Sequence, residues 1–547
     1  ANLFAVTWEM KNTLPPPHDD HTHAMVHTGG QLQHFTLRLR SAMKHLMQLD
    51  VSKSTGPDDL PARVLKEVAH SICEPLLQLC RRMLREGRWP KLWRFHNLIP
   101  FYKRESVSDP NNYRGIHLTC VLSKVAERII GEPLLNHFSK HECSGLQQWA
   151  YKQHRSSKDL VTLLTCSWIF SICSGKCIGA YLSDIAGAFD RVFKPYLMEK
   201  LRAVGVGETY LHFLSSFLDR RFGHVCVQGQ KSEQIWFENQ VFQGTVLGPP
   251  LWNIFFADII SAMSRPKSGK AFADDLNVFH EFDRRAAETD IMEELASCRD
   301  RVHQWGYQNR VEFDGTKEHF VIVHPTRGVG NAFKLLGLVY DCKLKMDEAV
   351  DAILQRARPK CKSLLRTKPF YKTVDMILQF KTHILGILES NIGGIYHATS
   401  TVLGPLDRIA TRFVHELNLE VDFAFLRYNL APLSLRRDIA MLGFLHKTHL
   451  PHAHPHITDF FPQRPGTKIW DITGLRTQQL QHPDLYCRSL FHLVHVYNAL
   501  PRQVVQCKTV STFQHELTNI ARSKCSQHHE NWQTFLSARH FQGTLLI

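Results

Sequence analysis

Two stretches near the centre of the chain decide the fold, C-I-G-A-Y-L-S-D at residues 177–184 and K-A-F-A-D-D-L-N-V-F at residues 270–279. The first is a short apolar run that predicts a buried strand ending at Asp184. The second is apolar on both sides of Asp274 and Asp275, which predicts a strand, a turn and a second strand. Two strands that each end in acid can bring three carboxylates together, so the pattern predicts a sheet that carries an acidic site.

The adjacent pair Asp274–Asp275 differs from the other Asp pairs of the chain in its apolar surroundings. Asp19–Asp20 lies in a polar leader and Asp58–Asp59 in a turn cluster, so we expect both to be solvated. Two carboxylates in an apolar sheet repel each other and lose hydration, which bound cations can offset. The structural alternative is a turn that uses aspartate at loop positions. With Asp184 added, the set suits two divalent metal ions, and Mg²⁺ is the hard ion that carboxylates prefer.

The bulk composition is that of a globular protein with several domains. The chain has 547 residues, of which 44% are hydrophobic and 21% are charged. Lysine and arginine outnumber the acids by 66 to 51, and the net charge of +15 fits a polyanionic partner such as nucleic acid. A basic protein without a nucleic-acid role is the alternative. The 14 cysteines show no zinc-finger spacing, which predicts buried free thiols.

Strand and helix patterns alternate irregularly along the chain, which favours an α+β fold over a doubly wound sheet. We predict a loose leader over residues 1–30 and helices over residues 31–49, 61–86 and 248–263. A hairpin is predicted around Gly229, a strand over residues 334–339, and mostly helices after about Met346.

Seven motifs stand in the order found in reverse transcriptases of non-LTR (LINE-like) retrotransposons, which this sequence resembles. The palm motifs of that family are similar to D-I-A-G-A-F-D (184–190), Q-G-T-V-L-G-P-P-L-W-N (243–253), F-A-D-D (272–275), D-G-T-K-E (314–318) and L-L-G-L-V-Y (335–340). The finger motifs are similar to K-S-T-G-P-D-D-L-P (53–61) and to I-P-F-Y-K-R (99–104) followed by N-Y-R-G-I-H-L-T-C-V-L-S-K-V-A-E-R (112–128). The resemblance implies a right-hand polymerase with fingers, an antiparallel-sheet palm and a helical thumb.

The resemblance also implies a role for each matching residue. Asp184, Asp274 and Asp275 match the metal-binding triad, and Lys317 matches a lysine that protonates pyrophosphate. The positions expected to bind the nucleotide are Lys103 and Arg114 at the triphosphate, Phe189 under the sugar, and Gln243 and Gly244 along the nucleotide and template. For Asp190, we expect a structural cap or charge partner at the following helix.

The implied reaction is RNA-directed DNA synthesis with two Mg²⁺ ions, for which Mn²⁺ is a substitute. The implied partners are an RNA template, a DNA primer and deoxynucleoside triphosphates, and the family acts in the nucleus. On this basis residues 1–49 form a leader and helix, residues 50–345 fingers and palm, residues 346–460 a helical thumb-like region, and residues 461–547 a C-terminal region of unassigned role.

Two departures from the family pattern concern the fingers and the template strand. Gly115 stands in N-Y-R-G-I where the family usually has proline, although Arg114 is kept. W-A-Y-K-Q-H-R-S at residues 149–156 stands where the family usually shows G-F-R-K-G-R-S. This second departure concerns how the template strand is positioned, and it leaves the residues expected to carry out the reaction unchanged.

A basic stretch follows the last palm motif, with Arg356, Arg358, Lys360, Lys362, Arg366 and Lys368. In the family this region is the thumb, which grips the template–primer duplex through its backbone. The alternative is a solvated helix face.

Two other functions compete with reverse transcription. An RNA-dependent RNA polymerase shares the palm, but A-D-D at residues 273–275 replaces its usual G-D-D and Phe189 is bulky at the sugar position. A catalytically decayed or maturase-like RNA-binding protein is the alternative outside catalysis. The intact acidic triad and Lys317 argue against decay, since a drifting gene need not keep them together.

Overall fold

The structure is a computed structural model that describes residues 1–11, 14, 30–103, 106–185, 187–263, 269–463, 471–474 and 480–540. The chain divides into two compact units. Unit 1 comprises residues 1–153, 182–278 and 296–318, and unit 2 comprises residues 154–181, 279–295 and 319–547. The domain boundaries predicted at residues 49, 345 and 460 are not tested by this division into units and stay a prediction.

Strands and helices alternate irregularly up to Tyr340, and the elements of the described residues beyond it are helices, as predicted for the region after about Met346. The strands are β1 (Phe95–Tyr102), β2 (Tyr113–Leu118), β3 (Lys176–Ser183), β4 (Arg221–Val227), β5 (Gln230–Lys231), β6 (Ile235–Phe237), β7 (Gly269–Phe272), β8 (Asp275–Asp283), β9 (His319–Val323), β10 (Phe333–Leu335) and β11 (Leu338–Tyr340). The α+β class is therefore confirmed.

The helices of the first half of the chain are α1 (Asn2–Lys11), α2 (Leu39–Met47), α3 (Ala62–Glu67), α4 (Ala69–Glu86), α5 (Val121–Lys140), α6 (Ser157–Cys173), α7 (Lys194–Ala203), α8 (Glu208–Phe217), α9 (Gly248–Phe255), α10 (Ile259–Ala262) and α11 (Glu288–Asn309). The second half adds α12 (Asp347–Arg366), α13 (Thr373–Phe380), α14 (Gly386–Leu388), α15 (Ile392–Ile395), α16 (Ser400–Glu416), α17 (Val421–Tyr428), α18 (Leu433–His446), α19 (Pro455–Phe460), α20 (Pro483–Cys487), α21 (Leu490–Asn498), α22 (Arg502–Val505) and α23 (Val510–Ser526).

A mixed five-stranded sheet has the order β2–β1–β4–β5, and β6 also pairs with β4. β1 runs antiparallel to β2, with Phe101 opposite Arg114, and parallel to β4. Helix α1 packs Ala5 and Trp8 into an apolar cluster with Leu98, Val225, Ile235, Phe237 and Phe242. The N-terminal end of the predicted loose leader is therefore a docked helix, because its apolar side chains find a cluster to cover. Residues 12–13 and 15–29 of that leader lie outside the described residues.

A second sheet has the strand order β7–β8–β3–β9 and carries the acidic stretches of the sequence. β7 and β8 form an antiparallel hairpin in which Phe272 pairs with Asp275. The predicted strand, turn and strand are confirmed here, and β3 confirms the predicted strand before Asp184.

Several predicted elements are shorter or divided in the structure. The helix predicted over residues 31–49 begins only at Leu39, because the Leu32 amide bonds the Gly205 carbonyl at 2.8 Å and holds the chain extended. The helix predicted over residues 61–86 is divided at Val68, and the helix over residues 248–263 is divided after Phe255. The strand predicted over residues 334–339 is the hairpin β10–β11, which turns at Leu336 and Gly337, both with positive φ.

The cysteines carry no disulfide, and eleven of the 14 are buried. This confirms the predicted free thiols, although Cys226 and Cys507 are partly exposed and Cys487 is exposed. Within the described ranges, none of the helices combines the length and apolar character needed to cross a membrane.

Candidate active site

Asp184 directly follows β3 and is fixed through both its backbone and its side chain. Its carbonyl accepts a hydrogen bond from the Asp314 amide at 3.0 Å. Lys317 donates from Nζ to Asp184 Oδ2 at 2.8 Å and lies 2.7 Å from Asp314 Oδ2. Burial alone would lower the pKa of Lys317, but the hydrogen bonds to the two carboxylates outweigh burial and raise it. Lys317 is therefore a fixed cation on the first predicted acid.

Asp274 and Asp275 lie at the tip of the β7–β8 hairpin. The turn consists of Ala273 and Asp274, and Ala273 has φ +59°, a left-handed conformation that a residue with a Cβ seldom adopts. The Gln148 side chain stabilises this turn from both sides. Its Oε1 accepts from the Ala273 amide at 3.0 Å, and its Nε2 donates to the Ala273 carbonyl at 3.1 Å. The buried Gln148 thus fixes the direction in which both acids point, a role that the sequence pattern did not reveal.

The electrostatics of the two hairpin acids reflect burial and mutual repulsion. Burial and the charge of Asp184 raise the pKa of Asp274 to about 6. Burial and the charges of Asp274 and Asp184 raise the pKa of Asp275 to about 7. The three predicted acids are therefore close enough to perturb one another, and their combined negative charge is costly in this environment.

Two cations from the β1–β2 region act on the same carboxylates. Arg114, on β2, lowers the pKa of both Asp274 and Asp275, and Lys103, just after β1, lowers the pKa of Asp274. The Lys103 amide bonds the Asn112 carbonyl at 2.8 Å, which holds the end of the hairpin together. Both side chains are exposed. The two residues predicted to bind triphosphate thus lie within electrostatic range of the acids.

The loop that carries Gln243 and Gly244 is held by hydrogen bonds to residues of β2 and α5. The His117 amide donates to the Gln243 carbonyl at 2.9 Å. Gly244 has φ +108°, and a Cβ there would lie 2.6 Å from the His117 carbonyl oxygen, so glycine is needed for this contact. The fully buried Glu127 accepts from the Val246 amide at 2.6 Å and from the Leu247 amide at 3.1 Å. Glu127 is a second supporting residue that the sequence analysis missed.

Phe189 lies in a short 3₁₀ turn, Ala188–Asp190, between β3 and α7. Its ring stacks on Trp252 at a centroid distance of 5.7 Å, and its carbonyl accepts from the Val241 amide at 3.0 Å. Through the Val241 amide, the segment that leads into Gln243 and Gly244 is bonded to Phe189. None of these contacts joins that segment directly to the carboxylates. The cap role predicted for Asp190 is wrong, because Phe193 occupies the N-cap position of α7 and no side chain caps that helix.

The acids fit hard divalent ions by their chemistry. Their oxygens are the donors that Mg²⁺ prefers, and a cation would relieve the burial and repulsion that raise the pKa of Asp274 and Asp275. In the described part of the chain, no group of three or more His, Cys, Asp or Glu side chains is placed to hold a metal ion together, and this includes the predicted acidic triad. Mg²⁺ commonly takes only one or two carboxylates and completes its coordination with water and substrate phosphate, so binding of the ion does not require three acids in one cluster.

Comparison with known proteins identifies a family that part of the chain resembles. Residues 102–340 match the reverse transcriptase (RNA-dependent DNA polymerase) family. All the predicted site residues, from Lys103 to Lys317, lie inside that segment. This segment is therefore similar to a reverse transcriptase domain.

The relatives are proteins of non-LTR retrotransposons, which confirms the resemblance seen in the motifs. The RNA-directed DNA polymerase from mobile element jockey of Drosophila melanogaster is 27% identical over 336 residues, which cover 58% of this chain and 36% of that protein. The probable RNA-directed DNA polymerase from transposon BS of the same species is 27% identical over 41% of this chain and 25% of its own length. A Pol polyprotein from the retrotransposable element R2 of Popillia japonica is 26% identical over 46% of this chain and 45% of its own length. The matched region thus spans a quarter to less than half of these relatives.

Proposed function

We propose that this chain is the polymerase part of a non-LTR retrotransposon protein and that it extends a DNA primer on an RNA template. One observation carries the proposal: three mutually repelling carboxylates, Asp184, Asp274 and Asp275, lie within the electrostatic reach of the cations Lys103, Arg114 and Lys317. Acids of this kind suit divalent ions, and the surrounding cations suit a triphosphate.

The chemistry follows from the charges at the site. The primer 3′-hydroxyl attacks the α-phosphorus of the nucleotide, and pyrophosphate leaves. Asp184, Asp274 and Asp275 would hold two Mg²⁺ ions, or Mn²⁺ as a substitute, whose charge would lower the pKa of the 3′-hydroxyl and stabilise the leaving group. Lys103 and Arg114 orient the triphosphate. Lys317 holds a proton at Nζ beside Asp184, where the departing pyrophosphate can take it.

Phe189 selects the sugar in this proposal. Its ring is fixed by the stack on Trp252, so it cannot easily move aside for a 2′-hydroxyl. We expect Phe189→Ala to raise incorporation of ribonucleotides relative to deoxynucleotides, with Phe189→Tyr close to wild type. Unchanged selectivity in Phe189→Ala would show that this position is not the sugar gate.

The domain layout belongs to the same proposal. Residues 50–345 are assigned to fingers and palm, and residues 346–460 to a helical thumb. All six basic residues of the stretch from Arg356 to Lys368 have exposed side chains, five on α12 and Lys368 just beyond it. An exposed basic surface supports backbone contacts with the template–primer duplex. Nuclear action rests on the resemblance alone.

Primer extension tests the proposed reaction. The assay uses a poly(rA) template, an oligo(dT) primer and Mg²⁺, with either dTTP or UTP as the nucleotide. We expect extension with dTTP and little with UTP. Extension with UTP alone would favour an RNA polymerase. RNA binding in a filter assay without extension would favour a decayed or maturase-like protein.

A further inference from the structure

Tyr151 lies in the segment between α5 and α6, within the W-A-Y-K-Q-H-R-S stretch linked above to template positioning, but no role is assigned above to its side chain. Its side chain is 55% exposed. Its ring centroid lies 6.1 Å from that of Phe189, with the planes at 79°, so the two rings meet edge to face. Burial raises the pKa of the Tyr151 hydroxyl, nearby Asp274 raises it further, and Arg114 opposes both. Tyr151 therefore sits among the sugar-selecting ring, an acid and a triphosphate cation of the proposed site.

The backbone of Tyr151 is held in an unfavourable conformation. Its φ is +57°, in the left-handed region that a bulky residue seldom adopts. The preceding residue is fixed on both sides: the Ala150 amide donates to Gln148 Oε1 at 3.0 Å, and Asn253 Nδ2 donates to the Ala150 carbonyl at 2.9 Å. Gln148 also holds the turn before Asp274. One buried side chain therefore fixes the positions of both Tyr151 and the hairpin acids.

An exposed aromatic ring on a strained backbone is not explained by core packing. Burial of the ring would repay the strain, but more than half of the side chain faces solvent. Strained residues of this kind concentrate where a ligand is positioned. A tyrosine ring offers a flat apolar face that accepts any base or sugar.

We infer that the Tyr151 ring forms a second wall of the nucleotide pocket and packs against the sugar or base of the incoming deoxynucleotide, with Phe189 as the first wall. This inference rests on the proposed polymerase function and adds a specificity-determining residue to it. The ring carries the contact. The hydroxyl is dispensable because stacking needs only the face of the ring.

Single-nucleotide incorporation of dTTP on poly(rA)/oligo(dT) tests this assignment, with kcat and KM measured separately. We expect Tyr151→Phe to remain within about threefold of wild type. Tyr151→Ala and Tyr151→Gly should each raise KM for dTTP about tenfold or more, the scale of a lost ring–base contact, with a smaller change in kcat. Tyr307→Ala is the matched control, because Tyr307 is 54% exposed and lies on α11.

The glycine variant separates the ring from the backbone. Glycine adopts a φ of +57° without strain, so it keeps the loop while removing the ring. KM values for dTTP that are raised equally in the alanine and glycine variants support the inference. An unchanged KM in Tyr151→Ala, or a KM restored by Tyr151→Gly, overturns it while leaving the proposed function intact. A wild-type chain that does not incorporate dTTP overturns the proposed function, and this inference with it.

Discussion

Nζ of Lys317 lies 2.8 Å from Oδ2 of Asp184, so the first acid of the triad already has a cationic partner. Asp274 and Asp275 differ, because burial and repulsion raise the pKa of these acids to about 6 and about 7. The three carboxylates therefore differ in their surroundings: Asp184 has a hydrogen-bonded lysine, whereas Asp274 and Asp275 keep a repulsion that a bound cation would relieve.

Loss of Lys317 should reduce the rate of nucleotide transfer. Lys317→Ala removes both the charge on Asp184 and the proton held at Nζ, and we expect kcat to fall about 100-fold, the scale of a lost general acid. Lys317→Arg keeps the charge but recovers little activity, because a guanidinium does not release its proton. Lys231→Ala, on exposed β5, is the control in the same primer-extension assay. Full activity of the arginine variant would argue for a purely electrostatic role.

Gln148 and Ala273 should be coupled energetically, because one stabilises the strained turn of the other. Gln148→Ala removes the hydrogen bonds to both polar groups of Ala273 and should cost about 1–3 kcal/mol of unfolding free energy, with a marked loss of activity. Ala273→Gly accepts the positive φ without a Cβ, so the double variant should recover part of the loss. Urea unfolding of the four proteins in a double-mutant cycle measures the coupling. Strict additivity would mean that Gln148 does not stabilise the turn.

Glu127 should stabilise the loop that carries Gln243 and Gly244 through its two hydrogen bonds. Glu127→Ala leaves the Val246 and Leu247 amides buried and without this acceptor, and we expect lower stability and a raised KM for dTTP. Glu127→Gln keeps an acceptor oxygen, so its stability and its KM for dTTP should both stay close to those of the wild type. Glu132→Ala, a partly exposed position on α5, is the control. An unchanged KM for dTTP in Glu127→Ala would show that this carboxylate does not position the Gln243–Gly244 loop for nucleotide binding.

Asp438 should make the stability of unit 2 depend on pH. Burial raises the pKa of this acid to about 7, although Tyr396 donates a hydrogen bond to it at 2.7 Å. The folded chain thus binds the proton more tightly than the unfolded chain, whose pKa is near 4. Stability from this group is full below about pH 4 and is lost as pH rises to 7, by the order of 4 kcal/mol.

The Asp438→Asn variant isolates this dependence. We expect its unfolding free energy, relative to wild type, to increase between pH 5 and pH 7, because the amide does not ionise. Urea unfolding at several pH values measures the difference. A difference that stays constant with pH would show that Asp438 does not titrate in this range.

The sequence predicts the acidic strands and hairpin well because their signals are local. An apolar run that ends in acid specifies both the strand and the point where it ends, so β3 and the β7–β8 hairpin could be predicted directly. The motifs that contain Lys103 and Arg114 likewise allowed these two residues to be predicted as cations of the site.

The supporting residues could not be predicted, because their partners are distant along the chain. Gln148 bonds Ala273 across 125 residues, and Glu127 bonds Val246 across 119. The sequence around Gln148 or Glu127 looks like that around any other polar residue beside an apolar segment. The shortened helix α2 has a similar cause, since Leu32 is held extended by Gly205. Tertiary hydrogen bonds override the local helical spacing there.

Addition of dTTP to oligo(dT) on poly(rA) tests the proposed two-ion site. The variants Asp184→Asn, Asp274→Asn and Asp275→Asn are compared with Asp300→Asn, an exposed α11 control. If the three acids form one two-ion site, each triad variant loses extension by about 1,000-fold or more while RNA binding and folding persist, and the control retains full activity. Extension by the Asp274→Asn/Asp275→Asn double variant at the wild-type rate would contradict the account, because the reaction would then take place elsewhere.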